Sequence, residues 1–300
     1  MSESAPAWSR VLPSSLRRAR LYRQHHGRLP PWGEPRTFTE KLQRRITRDR
    51  RPLLAPTCDK LAMKEHFARR APDLLRVPRT YWSGTDVAEL AGVDLPGPWV
   101  LKPNHSCRRV LVGEGRPDVA DLAARTAGWV AERYWRDSEE WAYRCARPGL
   151  LVEEHVGEPG EVPTDLKVLV FHGVPRVVGV HTGRRDVHRA RLYTAGWEPL
   201  PWTWGYPPGP DVPRPAWLPE LLEAAAAAAA GFDMLRVDLY RHDGRLWAGE
   251  LTPYPGAGLS RLEPGLDAWL GTWWTLPAEV DRPRWRTAAA RRCGGPHPPG

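Results

Sequence analysis

The sequence predicts an α+β protein divided into more than one lobe, and three observations carry that reading. Runs with strand-like alternation and runs with helical spacing follow one another without the strict βαβα order of a doubly wound parallel sheet. Two stretches read as antiparallel hairpins: LKVLVFHG with PRVVGVH around His172-Gly173, and LRVDLYRHDGRLWAGELT from Leu235 to Thr252. The 300 residues suffice for one large or two medium domains with a substantial core.

Residues 1–57 are rich in Arg and Pro and carry one amphipathic helix, from Phe38 to about Arg48. Asp59 is placed to cap a helix running to about Arg70, because a short carboxylate accepts the free amides of a first helical turn. Strands are expected at 77–82 and 99–103, with a short helix after Thr85 between them, and VLVGEG (110–115) reads as a returning strand. Apolar spacing predicts a helix over 118–135, and Leu150–Glu154 is a strand entering the loop GEPGEVP. The seven alanines Ala224 to Ala230 sit in a helix, since Ala loses least on becoming helical. The tail from Arg282 has the composition of a disordered segment.

No apolar run reaches the 18 or so residues that span a bilayer. The first residues, MSESAPAWSRVLPSS, lack the apolar stretch of a secretory signal. Cys58, Cys107, Cys145 and Cys293 are far apart and form no C-x-x-C pair, which argues against a zinc site or disulfide framework and fits reduced thiols in a cytoplasm. Five of the 44 basic residues are lysine and the other 39 arginine. With abundant Ala, Pro and Gly this fits GC-rich codon usage, so the formal charge of +9 is weak evidence for a nucleic-acid partner. The lysines Lys41, Lys60, Lys64, Lys102 and Lys167 are therefore the more informative cations, because arginine does not replace a compact ammonium in a confined anion site.

The 235–252 hairpin holds two acids where strands disfavour them. Leu235, Val237 and Leu239 alternate with Arg236, Asp238 and Tyr240. His242-Asp243-Gly244 reads as a three-residue turn with Gly244 left-handed. That register sets Arg236 opposite Glu250 and Asp238 opposite Ala248, with Asp238 diagonal to Glu250 on one polar face that also carries Thr252. Leu239, Trp247 and Leu251 then point to a core. A two-residue turn would slip the pairing by one and part the acids. The polar face suits a hard cation such as Mg²⁺; the competing reading is a solvated face with an ion pair of little weight.

Lys102 ends the apolar strand VLKPN and Lys167 sits in DLKVLV, where lysine is costly unless an anion neutralises it. The alternative is that each snorkels to an edge. Glu153, Glu154, His155 and Val156 end a third strand.

In this order the pieces resemble the ATP-grasp superfamily, and within it the teichuronopeptide-biosynthesis-like (TupA-like) branch. The matching segments are FTEKLQ, CDKLAMKEHF, WVLKPNHS, LLVEEHV, DLKVLVFHGVP, LYTAGWEPLPW, WGYP and the second hairpin continued through PYPGAG. They are collinear over roughly residues 38 to 275. The resemblance implies an ATP-grasp fold, two α+β lobes sandwiching ATP, behind a mostly helical N-terminal segment. Its units would be an arm and helix at 1–57, a smaller lobe at 58–154 ending on a hinge strand, a larger lobe at 155–280 with the metal hairpin, and a tail at 281–300.

The resemblance also assigns roles. Lys60 and Lys102 would contact ATP phosphates, and Glu153, Glu154, His155 and Val156 would form the adenine-reading hinge. Glu158 or Glu161 would reach the ribose, and Asp165 and Lys167 would border the nucleotide. Asp238 and Glu250, with Thr252 where many relatives use Asn, would hold Mg²⁺. Arg236 and Lys167 would stabilise the transferring phosphoryl group. Arg184, His188 and Arg189 resemble a family R-x-x-x-H pattern for an acidic substrate, against the reading of a solvated basic loop. Asn104 and His105 match family positions after the strand lysine, and Gly256 and Gly258 would admit substrate backbone closely. One departure stands out: Cys107, Arg108 and Arg109 occupy positions where relatives carry glycines that fold over the phosphates.

The implied activity is an ADP-forming carboxylate–amine ligase that makes an amide or peptide bond through an acyl phosphate, in natural-product or cell-surface polymer biosynthesis. ATP and Mg²⁺ are its implied cofactors. Its partners would be carboxylate and amine small molecules or peptides, with no nucleic acid and no membrane insertion. A phosphotransferase of the same fold and a degenerate, polyanion-binding protein are the alternatives.

Overall fold

The computed structural model describes residues 13–31, 33–157, 163–183 and 187–281. Strands β1 (Thr80–Gly84), β2 (Trp99–Pro103), β3 (Leu111–Gly113) and β4 (Leu150–Glu154) form an antiparallel sheet in the order β1-β4-β2-β3. Strands β5 (Asp165–Phe171), β6 (Val174–Thr182), β7 (Arg189–Thr194), β8 (Met234–His242) and β9 (Arg245–Thr252) form a second antiparallel sheet, β7-β6-β5-β8-β9. Two sheets with helices attached realise the α+β architecture expected from the sequence.

The α-helices are α1 (Ser14–His26), α2 (Phe38–Arg48), α3 (Lys60–Arg70), α4 (Val119–Thr126), α5 (Trp135–Ser138), α6 (Leu218–Ala228), α7 (Pro264–Thr272) and α8 (Ala278–Asp281). Helix α2 begins on a capping box, Thr37 accepting from the Glu40 amide while Glu40 accepts from the Thr37 amide. Asp59 caps α3 by accepting from the Ala62 amide, as its position predicts. Two expectations are corrected. The helix expected over 118–135 ends at Thr126, because Ala127 turns extended and Gly128 adopts φ +79°. The strand expected from 77 begins at Thr80, because Pro78 has no amide to give a ladder. Just before Pro78, Arg76 instead bridges to the edge of the second sheet, bonding to Leu246 and Ala248. Helix α1 was not foreseen; its basic sequence shows little apolar contrast, yet Tyr22 and Arg18 are fully buried.

Alternation along the strands explains the layering. On β5, Leu166, Val168 and Val170 join a core with Met63 and Phe67 of α3 and Leu221, Ala224 and Ala228 of α6. The opposite face of β5 runs Asp165, Lys167, Leu169, Phe171. Its apolar half packs with Phe38 and Leu42 of α2 and Leu266, Leu270 and Trp274, and its charged half is left for chemistry. The first sheet has its own core, with Trp82, Trp99, Leu101, Leu122 and Trp129. Helix α3 precedes the first sheet in sequence but belongs to the core of the second. Cys58 and Cys107 are free thiols. No helix among the described residues is long and apolar enough to cross a membrane. The tail expected to be disordered lies outside the described residues, apart from its first position.

Arg45 of α2 fastens the N-terminal helices to the second sheet. It is fully buried, donates to Asp233 (2.6 Å) and to the carbonyls of Met234 (2.8 Å) and Pro253 (3.0 Å), and lies 4.4 Å from the Trp274 ring centroid. Burial alone would raise the Asp233 carboxyl, but Arg45 and Arg51 outweigh it and hold it below its ordinary value. Arg45→Ala removes this donor from the Met234 and Pro253 carbonyls and leaves Asp233 to Arg51 and Trp274, and the expected loss is about 1–3 kcal/mol. A urea titration followed by circular dichroism should show a correspondingly lower midpoint.

Candidate active site

The second hairpin reaches the expected polar face by a different route. Its turn has two residues, Asp243 and Gly244, with φ +49° and +66° between the paired His242 and Arg245. This is the doubly left-handed turn that an Asp-Gly pair favours, and it replaces the three-residue turn expected. The slip it would cause is cancelled by a bulge: Asp238 pairs with Glu250 while the next residue, Leu239, pairs with Ala248, leaving Gly249 extra. A Cβ on Gly249 would lie 2.7 Å from the Asp238 carbonyl oxygen, so only glycine fits without a shift. The acids are therefore directly opposite rather than diagonal, and Arg236 faces Thr252 instead of Glu250. Trp247 pairs with Tyr240 and does not join Leu239 and Leu251 in the core.

Asp238 is 2% exposed and lies between two cations. Lys167, directly across from it on β5, contacts its Oδ2 and lies 2.8 Å from Asp165. Arg236 donates to both Asp238 oxygens (2.6 and 2.7 Å) and to Thr252 Oγ1 (3.1 Å). Burial alone would raise the Asp238 carboxyl, but Arg236 and then Lys167 overwhelm it and hold it well below the usual range. Glu250 lies opposite on β9, half-buried.

The first sheet supplies more cations. Lys102 contacts Glu153, and Lys64 lies 2.7 Å from the same carboxylate and 2.7 Å from Thr80 Oγ1. Burial raises the Glu153 carboxyl, but Lys102 and Lys64 more than reverse it. Burial also lowers the pKa of Lys60, which donates to the Ser106 carbonyl at 2.5 Å. At the end of β4, the amides of Glu154 and His155 donate to Arg79 (2.8 Å) and Pro98 (3.0 Å), and Val156 follows as the chain leaves the sheet.

The loop after β2 brings the two sheets together. Cys107 Sγ lies 2.9 Å from the Tyr143 hydroxyl and 3.9 Å from Glu250 Oε1. Arg108 adopts φ +69°, a backbone region that favours glycine. Arg109 forks onto Glu132 (2.9 and 3.2 Å) and lies over Trp129, so its charge is committed away from the hairpin acids.

Not every candidate gathers here. Asn104 and His105 are buried, and their polar atoms bond within the chain: Asn104 to the Leu61 amide and the Arg147 carbonyl, His105 to Glu132 and Gly149. Asn104 thereby ties the start of α3 to the residue that follows β2, and His105 ties that loop to Glu132 and Gly149. Arg189 is exposed and donates to the Pro208 carbonyl at 3.3 Å. Glu158, Glu161 and Arg184 lie outside the described residues.

Sequence reasoning missed a cavity of about 70 Å³ where the charged and apolar halves of the second sheet meet. Lys167 and Arg236 form one wall; Leu169, Val177, Leu192 and Trp204 form the other. Gly256 closes one side, while Gly258, at φ +61°, lies against Arg18 and Leu42 instead. His181 also lines it and meets His188 at 2.9 Å, with Tyr206 against both rings. Burial, then Lys167, pushes His181 down to about 3, so it is neutral near pH 7. The signal was present in VLVF and VVGV, strands apolar on both faces and so covered on both. Glu140 was also missed. Glu140 is 3% exposed, accepts from the Ser138 hydroxyl, and is raised to about 7 by burial, with Glu250 adding to the rise.

A model of the TupA-like ATP-grasp family matches residues 40–274. The chain belongs to the TupA-like ATP-grasp family. The resemblance carried by the eight segments is thus upheld, and with it the ATP-grasp fold. Among solved structures, the chain is similar to D-alanine–D-alanine ligase from Bacillus anthracis complexed with ATP, at 14% identity and TM-score 0.40, covering 65% of this chain and 54% of that one. It is also similar to the ATP-grasp ligase PsnB complexed with minimal precursor, at 14% identity and TM-score 0.41, covering 74% and 61%. A third is N5-carboxyaminoimidazole synthase from Aspergillus clavatus in complex with ADP and 5-aminoimidazole ribonucleotide, at 16% identity and TM-score 0.41, covering 71% and 45%. The chain thus spans less than two thirds of the length of each. No curated protein matches it.

Two outcomes are expected of this family member. Gly249→Ala forces the new methyl against Asp238 and should cost about 1–3 kcal/mol of stability, read as a lower chemical-denaturation midpoint. Glu140 binds a proton more tightly folded than unfolded, so between about pH 4.5 and 7 the folded state holds more protons and stability falls as pH rises. The accumulated penalty is about 3 kcal/mol at 1.36 kcal/mol per pH unit. Glu140→Gln should flatten that slope and be the more stable form at pH 8, as measured by thermal unfolding across pH.

Proposed function

We propose that this ATP-grasp protein is an ADP-forming carboxylate–amine ligase. The observation that supports it most is the opposed pair Asp238 and Glu250, with Thr252 beside them and Lys167 and Arg236 on the same face. The donor set fits Mg²⁺: all its atoms are oxygen, two donors are carboxylates, and the face is partly open. Asp238, Glu250 and Thr252 would hold the ion, and when bound it supplies charge neutralisation between the phosphates of ATP.

The remaining roles follow from what each side chain touches. Lys64 and Lys102 share one carboxylate, Glu153, and Lys60 bonds only a carbonyl, so the three offer surplus positive charge to the phosphates. With the Glu154 and His155 amides already engaged, the adenine edge falls to the Glu154 carbonyl and to Val156. Glu158 or Glu161 keeps the proposed ribose contact, and Asp165 the nucleotide border. Once the charge of Asp238 is neutralised by another partner, Arg236 and Lys167 are released toward the reacting phosphoryl group. They then stabilise its charge as an acceptor carboxylate oxygen bonds to the γ-phosphorus and the bridging bond to ADP breaks. An amine nitrogen then attacks the acyl carbon, loses a proton, and phosphate leaves.

The cavity beside Arg236 and Lys167 would seat the acceptor, its carboxylate on the cations and a small apolar group on Leu169, Val177, Leu192 and Trp204. His188 would act on the acceptor only through His181, which lines the cavity.

Isothermal titration with Mg-ATP tests the reading. Wild type should bind in the micromolar range only with Mg²⁺ present, and Glu250→Ala should weaken binding by a hundredfold or more. Asp238→Asn should abolish ADP release while leaving the fold intact. Unchanged binding in Glu250→Ala would overturn the metal assignment. ADP release that needs no amine would favour a phosphotransferase.

A further inference from the structure

A second cavity, of about 280 Å³, opens where α1, the end of α2 and residues 135–144 meet. Four arginines line it, Arg17, Arg18, Arg50 and Arg144, against one carboxylate, Glu139. That carboxylate already accepts from Arg17 at 2.5 Å. Two ring faces hold guanidinium groups in place, Arg144 over Trp135 (5.5 Å) and Arg50 over Trp141 (5.7 Å).

Arg18 is the unusual member. It is fully buried, yet its three hydrogen-bond acceptors are neutral: Gln43 Oε1 (2.6 Å), the Ser138 carbonyl (3.1 Å) and the Ala257 carbonyl (2.5 Å). Glu140 and Glu139 act on it only through space, and a buried guanidinium without a bonded carboxylate is expensive. The 13-residue helix α1 adds to the same field. Its N-cap is Pro13, which gives no side-chain cap, its first turn holds no acid, and its first residues, Ser14 and Ser15, line the cavity.

We propose that this cavity is an oxyanion site that takes the phosphate group of a phosphorylated ligand, separate from the nucleotide-facing sheets. Arginine forks and a helix N-terminus both match a tetrahedral, multiply charged oxyanion. Arg18 also joins the site to the loop beside the first cavity, because its acceptor Ala257 follows Gly256 in a run whose φ values are +57°, +53° and +61°.

Calorimetry on the full chain tests this with inorganic phosphate, inorganic pyrophosphate, glycerol 3-phosphate and citrate, at low ionic strength without Mg²⁺. The variants are Arg50→Gln/Arg144→Gln and, as a milder change at an exposed position, Arg144→Glu. Phosphate or pyrophosphate binding that weakens at least tenfold in both variants, with Mg-ATP binding unchanged, supports the site. Glycerol 3-phosphate binding more tightly than inorganic phosphate would identify an organic phosphate ester as the source, and the reverse order a free phosphate. Variants that bind every phosphate probe as wild type does, or citrate binding as tightly as pyrophosphate, would overturn it. Because Mg-ATP binding is read in parallel, failure here is distinguishable from failure of the ligase reading.

Discussion

Asp238 must remain ionised inside the second sheet, and much of the molecule is arranged around that demand. A carboxylate at this depth is costly in isolation, and the cost is met by two cations in contact with it. Lys167 comes from the neighbouring strand and Arg236 from the same one, so the arrangement requires β5 and β8 to pair in this register and no other. The same cations are then held in wait. A ligand that takes over Asp238 need not recruit positive charge from solvent, because that charge is already desolvated and aimed.

The two sheets are not independent bodies resting on each other. The chain crosses between them several times before the smaller sheet is complete. Helix α3 contributes to the core of the second sheet, Arg76 adds to its edge, and past Pro78 the chain enters the first. Asp59, the cap of α3, also receives Arg147 just before β4. Such cross-ties place Lys60 and Lys64 on a helix anchored to one sheet while their side chains serve the other. Any opening of the cleft between the sheets therefore has to act on the loops, above all on 104–109, where Cys107 bridges to Glu250 and Tyr143.

What the sequence disclosed and what it hid divide along physical lines. Elements with strong local chemistry were legible: the capping box of α2, the Asp59 cap and the alternating hairpins all appear where their residues put them. The grouping of Asp238, Glu250, Thr252 and Arg236 on one face was legible because a period of two is stringent, whereas the place of Lys167 across from Asp238 depended on how β5 and β8 pair. The turn and bulge behind it were not, since two local irregularities cancelled and left the same face. Features set by long-range packing stayed hidden. Arg18 and Arg45 look like surface arginines in a chain full of them, and only tertiary structure shows them buried. The apolar wall of the first cavity needed three strands and Trp204 to be brought together. The backbone contacts of Asn104 and His105 were hidden in the same way, because their partners Leu61, Arg147, Glu132 and Gly149 are distant in sequence.

The bulge at Gly249 has a counterpart in the first hairpin of the same sheet. There the two-residue turn His172-Gly173 is followed by a register shift that leaves Arg176 extra. In each case the ladder carries one residue more than a plain hairpin of that turn would need. Excising Gly249 would leave a straight ladder in which Asp238 still meets the same glutamate. This strand should therefore tolerate the loss of a whole residue better than the gain of one methyl group, so that chain length here is freer to drift than composition.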